Sequence, residues 1–348
     1  MKHFKNLIYL LAPTVLIFTL SACGQAKTEE LSQSTTIDNT SDINLNQDSK
    51  GQDGERTGSR RMAGGGTIDK TSDTELQETI SEVLEKFQVF TYEDKETGKS
   101  LDYNLFIPEE YDPSQSYPLV LFIPDSSLVG KGTEAALTQG YGGIVWATEA
   151  EQLKHQSFVL VPSYTETLTT DNWETGEEVE LTVRLLKKVI SQYSIDDNRL
   201  YATGQSMGCM TTMYLNIQYP DLFAASLFVG GQWDENALEV LKNEKFFYIV
   251  AQGDSKASAG MAALKPVLEN AGATVASEVW NAQWSAEEFD SAVSDLINEG
   301  DNIYFVEFEK GSVLPDGVEI GTNEHMYSFD YAYKIEGVRD WLFNQVKE

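Results

Sequence analysis

Cysteine is scarce in this sequence, and its scarcity limits how the fold can be stabilised. Only two cysteines occur among 348 residues. Cys23 follows an amino-terminal leader, which leaves Cys209 without a partner, so no disulfide bond is expected within the chain. The stability of the protein must therefore come from a packed apolar core.

Basic residues are also few. The chain has 25 Lys and Arg against 55 Asp and Glu, which gives a formal net charge of −30 at pH 7. Nucleic acid is excluded as a partner on these grounds, because binding to phosphates needs a basic face. An acidic surface that keeps an exported protein soluble is a sufficient explanation of the charge.

Long apolar runs are confined to the amino terminus. Residues 7–20 are apolar, follow two lysines and are too short for a confident membrane span, as in a secretory signal. The segment ends in LSAC, which resembles the lipobox of bacterial lipoproteins. Residues 1–22 are therefore predicted to be a signal peptide and Cys23 the lipidated residue that anchors the exported protein to a membrane of the cell envelope. The alternative is an ordinary signal peptide with a chance cysteine.

Composition divides the rest of the chain into two parts. Residues 23–72 are rich in Ser, Thr, Asp, Asn, Gln and Gly and have few large apolar residues. Such a segment cannot bury enough surface to fold, and we interpret it as a disordered tether. Residues 73–348 show no repeat and no second linker, and are predicted to form a single domain that begins with a helix over 73–86.

The domain alternates short apolar runs with helical patterns. Two segments around a turn-rich loop, 87–92 and 101–107, predict an antiparallel hairpin. Later runs lack polar alternation, as strands buried on both faces do. These are 119–123, 158–161, 200–203, 224–229, 246–251 and 303–308. Helices are predicted over 178–193, 281–300 and 334–346, the second as part of a lid. This order predicts an α/β fold with a mostly parallel sheet, an amino-terminal hairpin and helices on both faces.

A tight turn between a strand and a helix is the strongest chemical signal. Residues 204–208 read GQSMG, directly after a predicted strand and before an apolar helical segment. Such a turn needs small residues two places before and after its serine, which Gly204 and Gly208 supply. Ser206 would then lie at a helix amino terminus, where negative charge is favoured. We interpret Ser206 as a nucleophile rather than a simple helix cap.

A serine nucleophile needs a base, and histidine suits neutral pH. His3 leaves with the leader, and His155 lies between polar neighbours where a solvated role is expected. His325 follows the last strand in a polar loop, where the order Ser, acid, His places the base. Asp254 follows strand 246–251 and is the predicted acid; the alternative is that it only caps the next helix. The rival acids are Asp234 and Asp316.

The remaining site predictions are an oxyanion hole and a substrate cleft. The backbone amide of Met207 is the first expected donor, because it follows the nucleophile. The second is expected from the loop after strand 119–123, where Pro124 cannot donate and Ser126 is the better candidate. Aromatic and polar residues near the predicted loops are candidates for the cleft, although tryptophans are more often core residues. The candidates are Gln205, Trp146, Trp173, Trp233 and Trp284.

Several motifs together resemble those of secreted esterases related to polyhydroxybutyrate depolymerases and feruloyl esterases, including predicted peptidases with an α/β-hydrolase fold. They are YNLFIP at 103–108, YPLV at 117–120, DDNRLYATGQSMG at 196–208, PDLFAA at 220–225 and RDWL at 339–342. The resemblance covers about residues 87–346. It implies a triad of Ser206, Asp254 and His325 with no metal or organic cofactor.

Two positions depart from the pattern of that family. Cys209 replaces the usual glycine and is predicted to be a buried packing residue. The loop after strand 119–123 also lacks the usual His-Gly. Three functions stay open for the chain: an esterase acting on an acylated carbohydrate or polyester, a peptidase with the same triad, and an inactive ligand-binding lipoprotein. The polar segment 24–86 cannot build the gating domain typical of such peptidases, so the esterase is favoured.

Overall fold

The fold is described from a computed structural model, which covers residues 68–347. The predicted signal peptide, Cys23 and most of the predicted tether lie outside the described residues. Residues 68–72, which composition assigns to the tether, are placed against the domain, where Lys70 Nζ lies 2.5 Å from Asp330 Oδ2. No helix within residues 68–347 has the length and hydrophobicity needed to cross a membrane.

Nine strands form one sheet in the described part of the chain. They are β1 (Phe87–Glu93), β2 (Ser100–Phe106), β3 (Tyr117–Ile123), β4 (Phe158–Ser163), β5 (Ile195–Gln205), β6 (Ala225–Val229), β7 (Phe246–Ala251), β8 (Val275–Trp280) and β9 (Ile303–Phe308). Their order is β1-β2-β4-β3-β5-β6-β7-β9-β8. β1 pairs antiparallel with β2, and β2 antiparallel with β4. The other pairs are parallel, which confirms the predicted hairpin and parallel sheet.

Helices cover both faces of this sheet. They are α1 (Thr74–Val83), α2 (Ala135–Thr138), α3 (Glu149–Lys154), α4 (Glu177–Gln192), α5 (Met207–Gln218), α6 (Ser255–Asn270), α7 (Ala286–Glu299), α8 (His325–Lys334) and α9 (Glu336–Phe343). Apolar residues of α4, α5 and α6 pack on one face, and those of α1, α7, α8 and α9 pack on the other.

The uninterrupted apolar runs follow from this arrangement. In β7, Phe247, Ile249 and Ala251 face the helices α8 and α9, whereas the alternate residues face α6. Side chains of a strand point alternately to opposite faces, so a strand covered on both faces must be apolar throughout. The α/β fold with helices on both faces is therefore confirmed.

The structure corrects three predictions from sequence. An additional strand, β8, lies at the edge of the sheet, where Ser277 and Val279 are exposed, so its sequence lacks the uniform apolar pattern of the other strands. The predicted carboxy-terminal helix 334–346 is shorter, at Glu336–Phe343, and an unpredicted helix, α8, precedes it, with Ile335 buried in extended backbone between the two. The predicted lid is wrong, because α7 buries Val293 and Leu296 against the body of the domain.

The buried carboxyl group of Glu244, which is outside the predicted triad, should make stability depend on pH. Burial of Glu244, together with repulsion from Asp221, raises the pKa of its carboxyl from 4.5 to about 7. The folded state therefore holds this proton more tightly than the unfolded chain does. The resulting stability is fully present below about pH 4.5 and is lost as the pH rises through about 7.

We expect Glu244→Gln to raise Tm by about 2–4 °C at pH 8 and to leave it nearly unchanged at pH 5. Glutamine imitates the protonated carboxyl and removes the cost of ionisation. Differential scanning calorimetry at both pH values measures the effect. The control is Glu235→Gln, at the exposed start of the 3-10 helix Glu235–Asn243 that ends directly before Glu244. An equal shift at both pH values would contradict the assignment to ionisation.

Candidate active site

Strand β5 turns directly into helix α5 at Ser206. The backbone of Ser206 has φ 53° and ψ −116°, a conformation that non-glycine residues rarely adopt. Its N–H donates to the carbonyl of Val229 on the neighbouring strand, which fixes the turn. A Cβ on Gly208 would lie 1.9 Å from the carbonyl oxygen of Ile123, and one on Gly204 would lie 2.4 Å from the backbone of Gly208. Glycine at both positions is therefore a steric requirement of the turn.

The side chains of Ser206, His325 and Asp254 form one hydrogen-bonded chain. The distance from Ser206 Oγ to His325 Nε2 is 2.8 Å. On the other side of the ring, His325 Nδ1 forms a short hydrogen bond with Asp254 Oδ2. Phe329 packs edge-on against the imidazole at a centroid distance of 5.0 Å. One ring nitrogen thus faces the hydroxyl and the other faces the carboxylate.

Asp254 is both a helix cap and the partner of the histidine. Its Oδ1 accepts hydrogen bonds from the N–H groups of Lys256 and Ala257 at the start of α6, whereas its Oδ2 binds His325. The two interpretations of this residue are therefore compatible. Of the rival acids, Asp234 caps the 3-10 helix Glu235–Asn243 and Asp316 lies in the connection before α8, and neither forms a hydrogen bond with His325.

The observed environments of His155 and His325 differ from those predicted from sequence. His325 is the first residue of α8 rather than part of a loop, and its N–H donates to the side chain of Asn323. His155 was expected to be solvated, but its ring stacks on Phe343 and its Nε2 lies 2.7 Å from Asp340 Oδ1. A helix start fixes the backbone of His325 more firmly than a polar loop would.

The loop after β3 is held by a network of buried amides and a carboxylate. Gln205 Nε2 donates to Asp125 Oδ2 and to Gln139 Oε1, each at 2.9 Å. The amide of Gln139 in turn donates to Ser127 Oγ, and the N–H of Ser127 donates to Asp125 Oδ1. The residue before the nucleophile is thereby coupled to the loop that contains Ser126.

The two predicted oxyanion donors belong to neighbouring elements, the start of α5 and the turn after β3. Met207 begins α5, where the first N–H groups of a helix have no intrahelical partner. Ser126 begins a 3-10 turn, and Leu128 and Val129 of that turn line the same small cavity as Met207. Gln205 is only 3% exposed and supports this loop, so its prediction as a cleft residue is wrong.

The predicted cleft tryptophans have different environments. Trp146 is fully buried and donates to the carbonyl of Gly142, so its prediction as a cleft residue is wrong. Trp233 is 5% exposed and packs below Trp173, which is 38% exposed. Trp284 packs with Trp280 in a separate aromatic cluster. Within this group Trp173 has the most exposed side chain.

Trp173 belongs to a loop that is fastened to the site at several points. Its φ of 64° is unusual for a non-glycine residue, which indicates that the loop constrains it. Thr169 donates to the carbonyl of Met207, and Asp171 accepts hydrogen bonds from Gln232 and Lys256. The loop therefore borders both the nucleophile turn and the helix start beside Asp254.

Cys209 lies directly behind the nucleophile turn. It is fully buried, and its Cβ would lie 2.7 Å from a Cβ placed on Gly231. Burial raises the pKa of its thiol well above the ordinary value. The prediction of a buried packing residue is therefore confirmed.

One group of side chains within residues 68–347 has the composition of a metal site. Glu151, His155 and Asp340 place potential ligand atoms within 4.8 Å of one another. Arg339 Nε donates to Glu151 Oε2 at 2.8 Å, and Lys154 Nζ lies 3.8 Å from Asp340 Oδ2. These cations already compensate the two carboxylates, and the group includes no residue of the triad.

The chain resembles known esterases in sequence and in fold. Residues 120–268 match the family model described as esterase PHB depolymerase. Feruloyl esterase B of Talaromyces stipitatus is 32% identical over 102 residues, which cover 27% of this chain and 28% of that protein. A crystal structure of a thermostable esterase superposes with a TM-score of 0.58 at 25% identity and covers 76% of this chain and 64% of that one. The chain thus spans less than two thirds of each of these relatives.

The matched segment contains the turn at Ser206 and Asp254, and the structural match extends over most of the domain. The resemblance inferred from sequence is confirmed. The chain has the α/β-hydrolase fold, and its residues 120–268 match the esterase PHB depolymerase family model.

Proposed function

We propose that the protein is a serine hydrolase that cleaves carboxylic esters through an acyl-enzyme on Ser206. The observation that carries the proposal is the hydrogen-bonded chain from Ser206 Oγ through the imidazole of His325 to Asp254. This arrangement supplies a nucleophile, a base and a group that orients the base. The family match supports an ester as the substrate.

The proposed reaction has two halves. Ser206 Oγ attacks the ester carbonyl while His325 Nε2 takes the hydroxyl proton, and Asp254 holds the proton on Nδ1 and stabilises the imidazolium. The proton then passes to the leaving alcohol as the acyl-enzyme forms. Water, deprotonated by the same imidazole, attacks the acyl group, and the proton returns to Ser206 as the acid leaves.

The oxyanion of each tetrahedral intermediate needs donors that are fixed before the reaction. We assign these to the N–H groups of Met207 and Ser126. The first benefits from the amino terminus of α5, and the second belongs to the loop that Gln205 and Asp125 hold in place. The polar network thereby holds the loop after β3 in place, at the position where related esterases have a His-Gly motif.

The exposed ring of Trp173 supports an ester that carries a ring, such as an aromatic acyl group or an acylated sugar. Trp173→Ala is expected to raise KM for the methyl ester of an aromatic acid about tenfold and to leave KM for methyl butyrate nearly unchanged. The two substrates share a leaving group, so steady-state kinetics isolates the acyl part. Trp173→Phe should retain most of the affinity, and an equal rise for both substrates would contradict the assignment.

A substrate panel tests the reaction class. Purified residues 68–348 would be incubated with short-chain and aromatic methyl esters and with peptides, beside Ser206→Ala as the blank. Ester turnover without peptide cleavage is the expected result. Peptide cleavage alone would favour the peptidase with the same triad, and ligand binding without turnover of either class would favour the inactive binding protein.

The location of the protein is a further part of the proposal. The leader and the LSAC sequence before position 24 support export and lipidation at Cys23, which would hold the domain on the outer side of a membrane. Cys23→Ala should move the protein from the membrane fraction to the soluble fraction, as measured by immunoblotting after ultracentrifugation. Retention of the variant in the membrane fraction would contradict lipid anchoring at this residue.

A further inference from the structure

A buried carboxylate lies beside the triad without being part of it. Glu324 directly precedes His325 and is fully buried. Its Oε1 accepts the N–H of Gly311 at 2.8 Å, and its Oε2 accepts the N–H of Gly253 at 3.1 Å. Both oxygens of this carboxyl group thus accept a backbone N–H, which the ionised form of glutamate is able to do.

These two hydrogen bonds join the connection between β7 and α6 to both ends of the connection between β9 and α8. Gly253 belongs to the connection after β7 and directly precedes Asp254, and Gly311 belongs to the connection after β9. A Cβ on Gly253 would lie 2.1 Å from the carboxyl carbon of Glu324, so the close approach requires glycine there. The residue before the acid is therefore hydrogen-bonded, through its N–H, to the side chain of the residue before the base.

Burial of the Glu324 carboxylate costs desolvation free energy, so a role in stability alone does not explain it. Among the ion pairs of residues 68–347, none includes Glu324, so its charge is compensated by two N–H groups and not by a cation. A buried carboxylate without a cation loses much of its hydration, and an apolar or amide side chain would avoid that loss. The charge strengthens both hydrogen bonds, and hence the rigidity of the junction.

We propose that Glu324 is a positioning residue that sets the distance and angle between Asp254 and His325. The inference rests on the proposed function, since it concerns the same triad. Asp254 and His325 lie 71 positions apart in the chain, at the starts of α6 and α8, and their short hydrogen bond depends on how the connections before these helices meet. Glu324 holds these connections together through its hydrogen bonds with Gly253 and Gly311, and it contacts neither the substrate nor Ser206.

The test combines kinetics with proton NMR of the folded domain. Glu324→Gln keeps the size of the side chain and removes the charge, and Glu319→Gln neutralises an exposed carboxylate of the same connection between β9 and α8. The kinetic measurement is the hydrolysis of a short-chain ester. The spectroscopic measurement is the far-downfield proton resonance of His325 Nδ1–H, which Asp254→Asn identifies by its loss.

We expect Glu324→Gln to lower kcat by about 10- to 100-fold with KM changed less than about threefold, and to shift or broaden the downfield resonance. Glu319→Gln should change neither. An unchanged kcat with an unchanged resonance would overturn the inference, and so would a loss of activity that matches the unfolded fraction. Should Glu324→Gln fail to fold, Glu324→Asp, which keeps the charge and shortens the reach, is measured in the same way.

The resonance is observed without substrate, which separates the two claims. A wild type that shows the resonance but hydrolyses no ester contradicts the proposed function. The response of the resonance to Glu324→Gln still decides the role of Glu324 in that case.

Discussion

Ser206→Ala is expected to lower kcat for ester hydrolysis by about 10⁶-fold and to leave the fold intact. The hydroxyl is the group that forms the acyl-enzyme, and alanine offers no substitute. The residue already adopts a strained backbone that the hydrogen bond from its N–H to Val229 maintains, and this bond does not involve the side chain. Hydrolysis of p-nitrophenyl acetate, followed by absorbance, measures the loss.

Two controls accompany this variant. Ser191→Ala removes an exposed hydroxyl at the end of α4 and should retain full activity. Circular dichroism should show the same secondary structure for Ser206→Ala and the wild type. Activity of Ser206→Ala above about 1% of the wild-type value would show that another group is the nucleophile.

Asp254→Asn should lower kcat by about 10⁴-fold with little change in stability. The Oδ1 of asparagine still accepts the N–H groups of Lys256 and Ala257, so the cap of α6 is preserved. The side-chain amide, however, donates toward His325 Nδ1 and favours the tautomer whose Nε2 carries the proton. That tautomer cannot accept the proton of Ser206.

The design of this variant separates capping from catalysis. Calorimetry should give a Tm within about 2 °C of the wild type, whereas steady-state kinetics should show the large loss. Asp234→Asn is the matched control, because Asp234 also caps a helical segment but does not contact His325. A comparable loss of kcat in Asp234→Asn would indicate that the acid had been wrongly assigned.

Strands buried on both faces were predictable from sequence, and those at the sheet edge were not. The bounds of β7 and β9 agree with the apolar runs 246–251 and 303–308 because each residue of these strands meets a hydrophobic layer or a neighbouring strand. β8 has an exposed side, and its polar residues give the same pattern as a loop. The extended residue Ile335 has no local signal that distinguishes it from a helical position.

The triad geometry could be anticipated because it depends on chain order. Ser206, Asp254 and His325 follow β5, β7 and β9, and the carboxyl ends of parallel strands meet at one edge of the sheet. The supporting groups could not be anticipated in this way. The role of Gln205 depends on Asp125, which is distant in sequence, and the burial of Glu324 depends on Gly253 of another loop and on Gly311 at the far end of its own.

The central claim is that Ser206 is activated by His325, and mapping a covalent adduct tests it most directly. The folded domain would be treated with a fluorophosphonate, digested and analysed by mass spectrometry, beside Ser206→Ala and His325→Ala. The account predicts one adduct, on Ser206, which is absent from the first variant and forms far more slowly in the second. An adduct on another residue, or a folded wild type that forms none, would contradict it.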